Sequence, residues 1–89
     1  MVSEELKVIN PSGLHLRPAG NLCKEALKYD SKIYIIFKDA TANAKSVLSV
    51  LAACVKCGDT IKITCDGRDE NEALEALKNL INSGFGELK

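Results

Sequence analysis

From Thr60 to Asp66 the chain alternates without a break, with Ile61, Ile63 and Cys65 set against Thr60, Lys62, Thr64 and Asp66. A strand turns successive side chains to opposite faces, so this segment has one apolar face and one wet face. Such a strand belongs to an antiparallel sheet that must be covered on one side only. Three amphipathic segments can supply the cover. Ala19, Leu22, Cys23, Ala26 and Leu27 recur at three- and four-residue spacing, which predicts a helix from about Leu16. Ala73, Leu74, Leu77, Leu80 and Ile81 form a second stripe that ends at Gly84. A shorter helix is predicted after Ser46, with Val47, Leu48, Leu51 and Val55 on one side and a stop before Gly58-Asp59.

Three further strands complete the sheet. Leu6, Val8 and Ile9 mark an N-terminal strand closed by Asn10-Pro11-Ser12-Gly13. Ile33 to Lys38 is rich in β-branched and aromatic residues, with Ile33, Ile35 and Phe37 on one face, and Thr41-Ala42-Asn43 returns as its partner. Local punctuation agrees: Pro18 falls in the first helical turn, Tyr29-Asp30-Ser31 and Asp66-Gly67 are turns, and Ser46 is placed to cap the second helix. Asp69 with Glu72 three positions on has the spacing of a capping box. The expected order is β-α-β-β-α-β-α. The expected fold is α+β, an open-faced two-layer sandwich in which three helices lie on one face of a four-stranded antiparallel sheet. No repeat or linker interrupts residues 1–89, so one domain is expected.

Charge and composition exclude several functions. Twelve basic and twelve acidic residues cancel, which argues against a nucleic-acid binder. No apolar run approaches the ~18 residues of a membrane span. Met1-Val2-Ser3-Glu4-Glu5 lacks the basic and apolar regions of a secretory signal, so a cytoplasmic protein is expected. In a reducing compartment the four cysteines are expected to be free. Cys23 and Cys65 fall on apolar stripes and should be buried. Cys54 and Cys57 form a C-x-x-C pair, but this pair closes a helix where a redox motif opens one, and no second pair completes a zinc site. Core packing and a helix end are the expected roles of these two residues, and no metal or cofactor is expected.

The remaining chemistry lies in Gly13-Leu14-His15-Leu16-Arg17-Pro18-Ala19. His15 is the only histidine, and it stands beside Arg17 at a helix start. An ordinary imidazole titrates at about 6.5 and is a nucleophile near neutral pH. A helix start offers free N–H groups and a positive dipole end to a phosphate, and a guanidinium fork matches phosphate oxygens. No acid, second histidine or metal cluster accompanies His15, so hydrolysis by the chain itself is not expected. A single nucleophile of this kind suits a carrier rather than an enzyme.

The chain resembles the HPr family, the histidine-containing phosphocarriers of the phosphoenolpyruvate-dependent sugar phosphotransferase system. The resemblance rests on Gly13-Leu14-His15-Leu16-Arg17-Pro18-Ala19, on Lys45-Ser46-Val47-Leu48-Ser49-Val50-Leu51, and on the order of elements. It implies that His15 is phosphorylated on Nδ1 by phosphorylated enzyme I and passes the group to enzyme IIA domains, with Arg17 helping to hold it. It implies that Ser46 is a regulatory site for HPr kinase/phosphorylase, with the catabolite control protein as a further partner. It implies a monomer whose docking face includes Leu16, Gly20, Val47, Leu48 and Leu51. Leu16 falls off the buried stripe and is expected to be exposed.

Five positions depart from the family's habit. Leu16 stands where a small residue is usual and Gly20 where threonine, serine or alanine is. Ser49 stands where glycine or a basic residue is common, Cys54 where glycine is, and Ala40 where lysine often is. None removes a group that would handle phosphate, but all fall on or near the partner face. The resemblance therefore also admits an HPr-like paralogue that acts mainly as a regulatory binding module in carbon catabolite control.

Overall fold

The computed structural model describes residues 1–87. The expected domain of residues 1–89 also takes in residues 88 and 89, which lie outside the described residues. The elements are β1 (Val2–Lys7), α1 (Leu16–Ala26), β2 (Lys32–Phe37), β3 (Ala40–Asn43), α2 (Val47–Ala52), β4 (Thr60–Asp66) and α3 (Glu70–Asn82), followed by a short 3-10 turn at Gly84–Gly86. The strands form one open antiparallel sheet in the order β1-β4-β2-β3. This is the α+β sandwich that the alternation of Thr60 to Asp66 called for.

The register shows how the apolar face is built. Leu6 lies opposite Ile61, Ile63 opposite Ile35, Cys65 opposite Ile33, and Ile35 opposite Ala42. The helices bring Ala19, Leu22 and Ala26 from α1, Val50 from α2, and Ala73, Leu77 and Ile81 from α3 into the same core. Leu22, Leu77 and Ile81 are fully buried, and removing a side chain of that size from water contributes ~1.5–3 kcal/mol. At the sheet edge, Lys78 of α3 pairs with Glu4 of β1 at 3.0 Å. On the outer face Thr64 is also buried, between its cross-strand neighbours Ser3 and Tyr34.

Four expectations need correction. The second helix ends at Ala52, because Cys54 takes φ +56°, a left-handed backbone that stops it. Val55 is buried from the loop beyond, and within the helix the buried residue is Val50, with Leu48 exposed. The capping box at Asp69 and Glu72 does not form: Asp69 makes no cap bond. Its carboxylate instead accepts hydrogen bonds from Asp30 N–H (2.8 Å), Ser31 N–H (2.9 Å) and the Ser31 hydroxyl, closing the turn between α1 and β2. The first strand runs from Val2 to Lys7, so it takes in Leu6 and stops short of Val8 and Ile9. Finally, Cys54 and Cys57 are exposed and pack in no core, although Cys54 does stand at a helix end.

Pairing of Lys7 with Thr60 and of Lys32 with Asp66 gives the sandwich two distinct ends. One end gathers residues 8–15, the Lys38-Asp39 turn and residues 53–59. The other gathers Tyr29-Asp30-Ser31, residues 44–46 and Gly67-Arg68-Asp69. The helices α1 and α2 run antiparallel between them. The Cys23 thiol donates to Lys45 O (3.1 Å) at the start of α2, while His15 shares a cleft with Leu51 and Cys54 at its other end.

Candidate functional site

His15 is the N-cap residue of α1, with φ −77° and ψ −172°, and its side chain makes no hydrogen bond to the first turn. The ring is exposed. Capping is normally the work of Ser, Thr, Asp or Asn; a histidine that caps nothing leaves its ring available. The first turn carries no acidic side chain, and Leu16 and Arg17 retain backbone N–H groups there, whereas Pro18 has none. Arg17 is exposed one residue past Leu16. The sequence therefore places an imidazole, a guanidinium and an uncapped helix start together on the surface.

What holds His15 there is the loop before it. Gly13 N–H donates to Asn10 O (3.0 Å), which folds Asn10-Pro11-Ser12-Gly13 into a turn. Gly13 has φ +65°, and a Cβ at this position would lie 2.7 Å from Val55 O and 2.8 Å from Lys56 Cα. Only glycine permits that approach. Leu14 is buried and donates its N–H to Val55 O (3.0 Å), while His15 O accepts from Ala19 N–H (2.8 Å). His15 thus sits between a buried neighbour and the first bond of a helix. Ser12, Leu14, His15, Leu51, Cys54, Val55 and Lys56 line a cleft of about 230 Å³.

Ser46 caps α2, its hydroxyl accepting from Ser49 N–H (3.3 Å), and is half-buried. It lies near Cys23, two turns along α1 from His15, or about 12 Å at 1.5 Å per residue. The two residues are not in contact. The five expected docking residues divide. Leu16 is 62% exposed and Leu48 79% exposed, while Val47 and Leu51 are half-buried against the core. Gly20 lies on α1 with open space where a Cβ would stand.

Sequence reasoning missed Asn10, Ser12 and Glu87. The Glu87 carboxylate accepts from Ser12 N–H (3.1 Å), the Ser12 hydroxyl (2.6 Å) and Asn10 Nδ2 (3.2 Å). Those bonds, the Ser12 hydroxyl first, hold its carboxyl below the ordinary carboxylate range, and the charge of Arg17 adds to the effect. Asn10 and Glu87 are 77 residues apart, and no periodicity links them. The one local signal was Asn10 itself, a polar residue in the turn just before the glycine and histidine. Among the described residues no group of three or more His, Cys, Asp or Glu is placed to hold a metal, and no helix is long and apolar enough to cross a membrane.

Comparison with known proteins agrees with this architecture. Residues 2–83 match the family described as "PTS HPr component phosphorylation site". The chain is 36% identical over 87 residues to the phosphocarrier protein HPr of Treponema pallidum (strain Nichols), covering 98% of this chain and 99% of that one. A crystal structure of HPr from Thermoanaerobacter tengcongensis superposes with a TM-score of 0.96 at 36% identity, over 100% of both chains. The Bacillus subtilis catabolite repression protein Crh superposes with a TM-score of 0.76 at 30% identity, over 94% of this chain and 97% of that one. These matches define a small phosphocarrier of the phosphotransferase system. The chain belongs to the HPr family of phosphocarrier proteins.

Proposed function

We propose that His15 is the residue that carries the phosphoryl group, accepting it from phosphorylated enzyme I and passing it to enzyme IIA domains in the cytoplasm. The observation that carries this reading is the exposed imidazole at the N-cap of α1, with no cap bond to occupy it. In the transfer, a lone pair on the imidazole nitrogen forms the new P–N bond. The donor's bond to phosphorus breaks, and its electron pair leaves with the donor atom. Arg17 and the first-turn N–H groups meet the phosphate oxygens. An exposed site of this kind stabilises the bound group only modestly, which keeps it transferable. The carrier needs no cofactor and works as a monomer.

Ser46 belongs to the same proposal as a regulatory site for HPr kinase/phosphorylase, with the catabolite control protein reading the phosphorylated form. Its separation from His15 supports an effect on docking: about −1.5 to −2 charges added beside the α1–α2 face would repel an acidic partner. Incubation with enzyme I and phosphoenolpyruvate tests the central claim. The wild-type chain should acquire one acid-labile phosphoryl group and His15→Ala none, with the fold of the variant unchanged. A wild-type chain that stays unlabelled overturns it.

A second reading has its own support. The Crh structure shares the fold, and Leu16 places a bulky exposed side chain between His15 and Arg17. If the chain is chiefly a regulatory module, HPr kinase/phosphorylase with ATP should label Ser46 while enzyme I labels His15 poorly.

A further inference from the structure

We propose that Glu87, acting through Ser12 and Asn10, is a positioning residue for His15; this rests on His15 being the phosphoryl acceptor. The inference starts from the burial of Asn10. This side chain is fully buried, yet its Oδ1 has no hydrogen-bond partner. A buried amide oxygen without a partner is costly, so the residue must be held there by what its Nδ2 does. That nitrogen donates to Gly13 O at 2.8 Å and to Glu87 Oε1 at 3.2 Å. The turn before His15 is therefore closed twice by Asn10, once by its backbone carbonyl and once by its side chain.

Glu87 completes the clasp from the far end of the described chain. Phe85 is buried in the core, which fixes the segment, and Glu87 N–H donates to Gly84 O (2.9 Å). From that anchored position the carboxylate takes both the N–H and the hydroxyl of Ser12. Without it, Ser12 N–H and Asn10 Nδ2 each lose an acceptor, and the turn is left with its bonds to Gly13 and the long bond from Asn10 Nδ2 to the Ser12 hydroxyl (3.4 Å). Gly13 joins the turn to Leu14 and His15, and Asn10 holds both its N–H and its carbonyl, so a shift of Asn10 passes to Gly13 first. A displacement of about 1 Å at a reacting group can cost on the order of 100-fold in rate. The clasp contributes no atom to the phosphoryl group; it fixes the direction in which the Leu14–His15 peptide presents the ring.

The test separates rate from docking. With phosphorylated enzyme I as donor, Glu87→Ala should lower kcat about 5- to 20-fold while KM changes less than about twofold, because Leu16 and Leu48 are untouched. Glu87→Gln keeps an oxygen for Ser12 N–H and Asn10, and its amide can donate to the Ser12 hydroxyl, so it should recover most of the wild-type rate. Ser12→Ala should slow transfer less than Glu87→Ala, and the double variant should be no slower than Glu87→Ala alone. Amide exchange at Ser12 should quicken in Glu87→Ala and not in Glu87→Gln. An unchanged kcat in Glu87→Ala overturns the proposal, and so does an equal loss in the Ala and Gln variants, which would assign the effect to charge. If the wild-type chain is itself not labelled at His15, the underlying reading fails instead, and the two failures are told apart by that control.

Discussion

The two ends of the sandwich are each closed by a carboxylate, and they use it differently. At one end Asp69 takes two backbone N–H groups and the hydroxyl of Ser31. At the other, Glu87 takes one backbone N–H, the hydroxyl of Ser12 and the amide of Asn10. The chemistry is nearly the same. The Asp69 end holds a buried serine against Gly67, and its clasp leads to no exposed histidine, so its rigidity serves the fold. The Glu87 end holds a turn whose next residues are a left-handed glycine and an exposed histidine. Equal local order thus serves stability at one end and the aim of a side chain at the other.

The thiols offer the largest contrast between these ends. Cys65 lies toward the Asp69 end, where burial, and then the charges of Glu70 and Asp69, push its thiol from 9.0 up to about 11. A thiol raised that far holds about 100-fold less thiolate at a given pH than an ordinary one, and burial adds a barrier to access. Cys54 lines the His15 cleft, Cys57 lies in the loop just beyond it, and both are exposed. A thiol reagent at neutral pH should therefore label Cys54 and Cys57 at least about 100-fold faster than Cys65 in the folded chain, and all four equally after denaturation. Peptide mapping reads the ratio. Fast labelling of Cys65 under native conditions would show that its end opens far more readily than its burial implies.

The glycines come next. Gly13 and Gly67 each lie where a Cβ would strike backbone, at 2.7 Å from Val55 O and 2.6 Å from Ser31 Cα respectively. Alanine at either position should cost about 1–3 kcal/mol, measured by denaturant unfolding. Their functional effects should part. Gly13→Ala moves the loop that carries His15 and should slow phosphoryl acceptance about tenfold or more. Gly67→Ala should accept at the wild-type rate wherever both variants are folded. Equal rates in the two variants would remove the distinction between the ends.

The sequence showed this contrast only in part, for physical reasons. Strands and helices leave a period in the chain, so the alternation of Thr60 to Asp66 and the stripes on α1 and α3 could be read directly, except that Leu27, expected on the α1 stripe, lies past the helix end and is exposed. Leu51 and Val55 share that four-residue spacing, yet Cys54 at φ +56° ends the helix between them. A spacing rule cannot register one left-handed residue. Asp69 has the residue type and neighbours of a cap, and its carboxylate is drawn instead to Ser31, 38 residues away. His15 and Arg17 stand out as candidates because their chemistry is rare in this chain and local, and both are exposed at the start of α1. Asn10, Ser12 and Glu87 were not, because side-chain bonds across 77 residues leave no local trace.

Acid should give the smallest and most direct comparison of the two clasps. Both carboxyls are held below their ordinary values, Asp69 from 3.8 chiefly by the Ser31 hydroxyl and the Asp30 N–H, Glu87 from 4.5 chiefly by the Ser12 hydroxyl and N–H. Each group therefore binds a proton more tightly in the unfolded chain than in the folded one. The stability it contributes is complete above those ordinary values and is lost as pH falls through the lower, folded ones. Denaturant midpoints followed from pH 7 down to about 2 should fall most steeply for the wild-type chain. Asp69→Asn should start lower at pH 7 and converge on the wild type in acid, since protonation removes the same charge. Glu87→Gln should show a shallower version of the same convergence, because its bonds hold a turn outside the sheet. An acid limb unchanged in Asp69→Asn would mean that other carboxylates govern acid unfolding. If Glu87→Gln instead flattened the limb more than Asp69→Asn, the Glu87 end would be the greater contributor to stability, and the division of labour between the two clasps would have to be reversed.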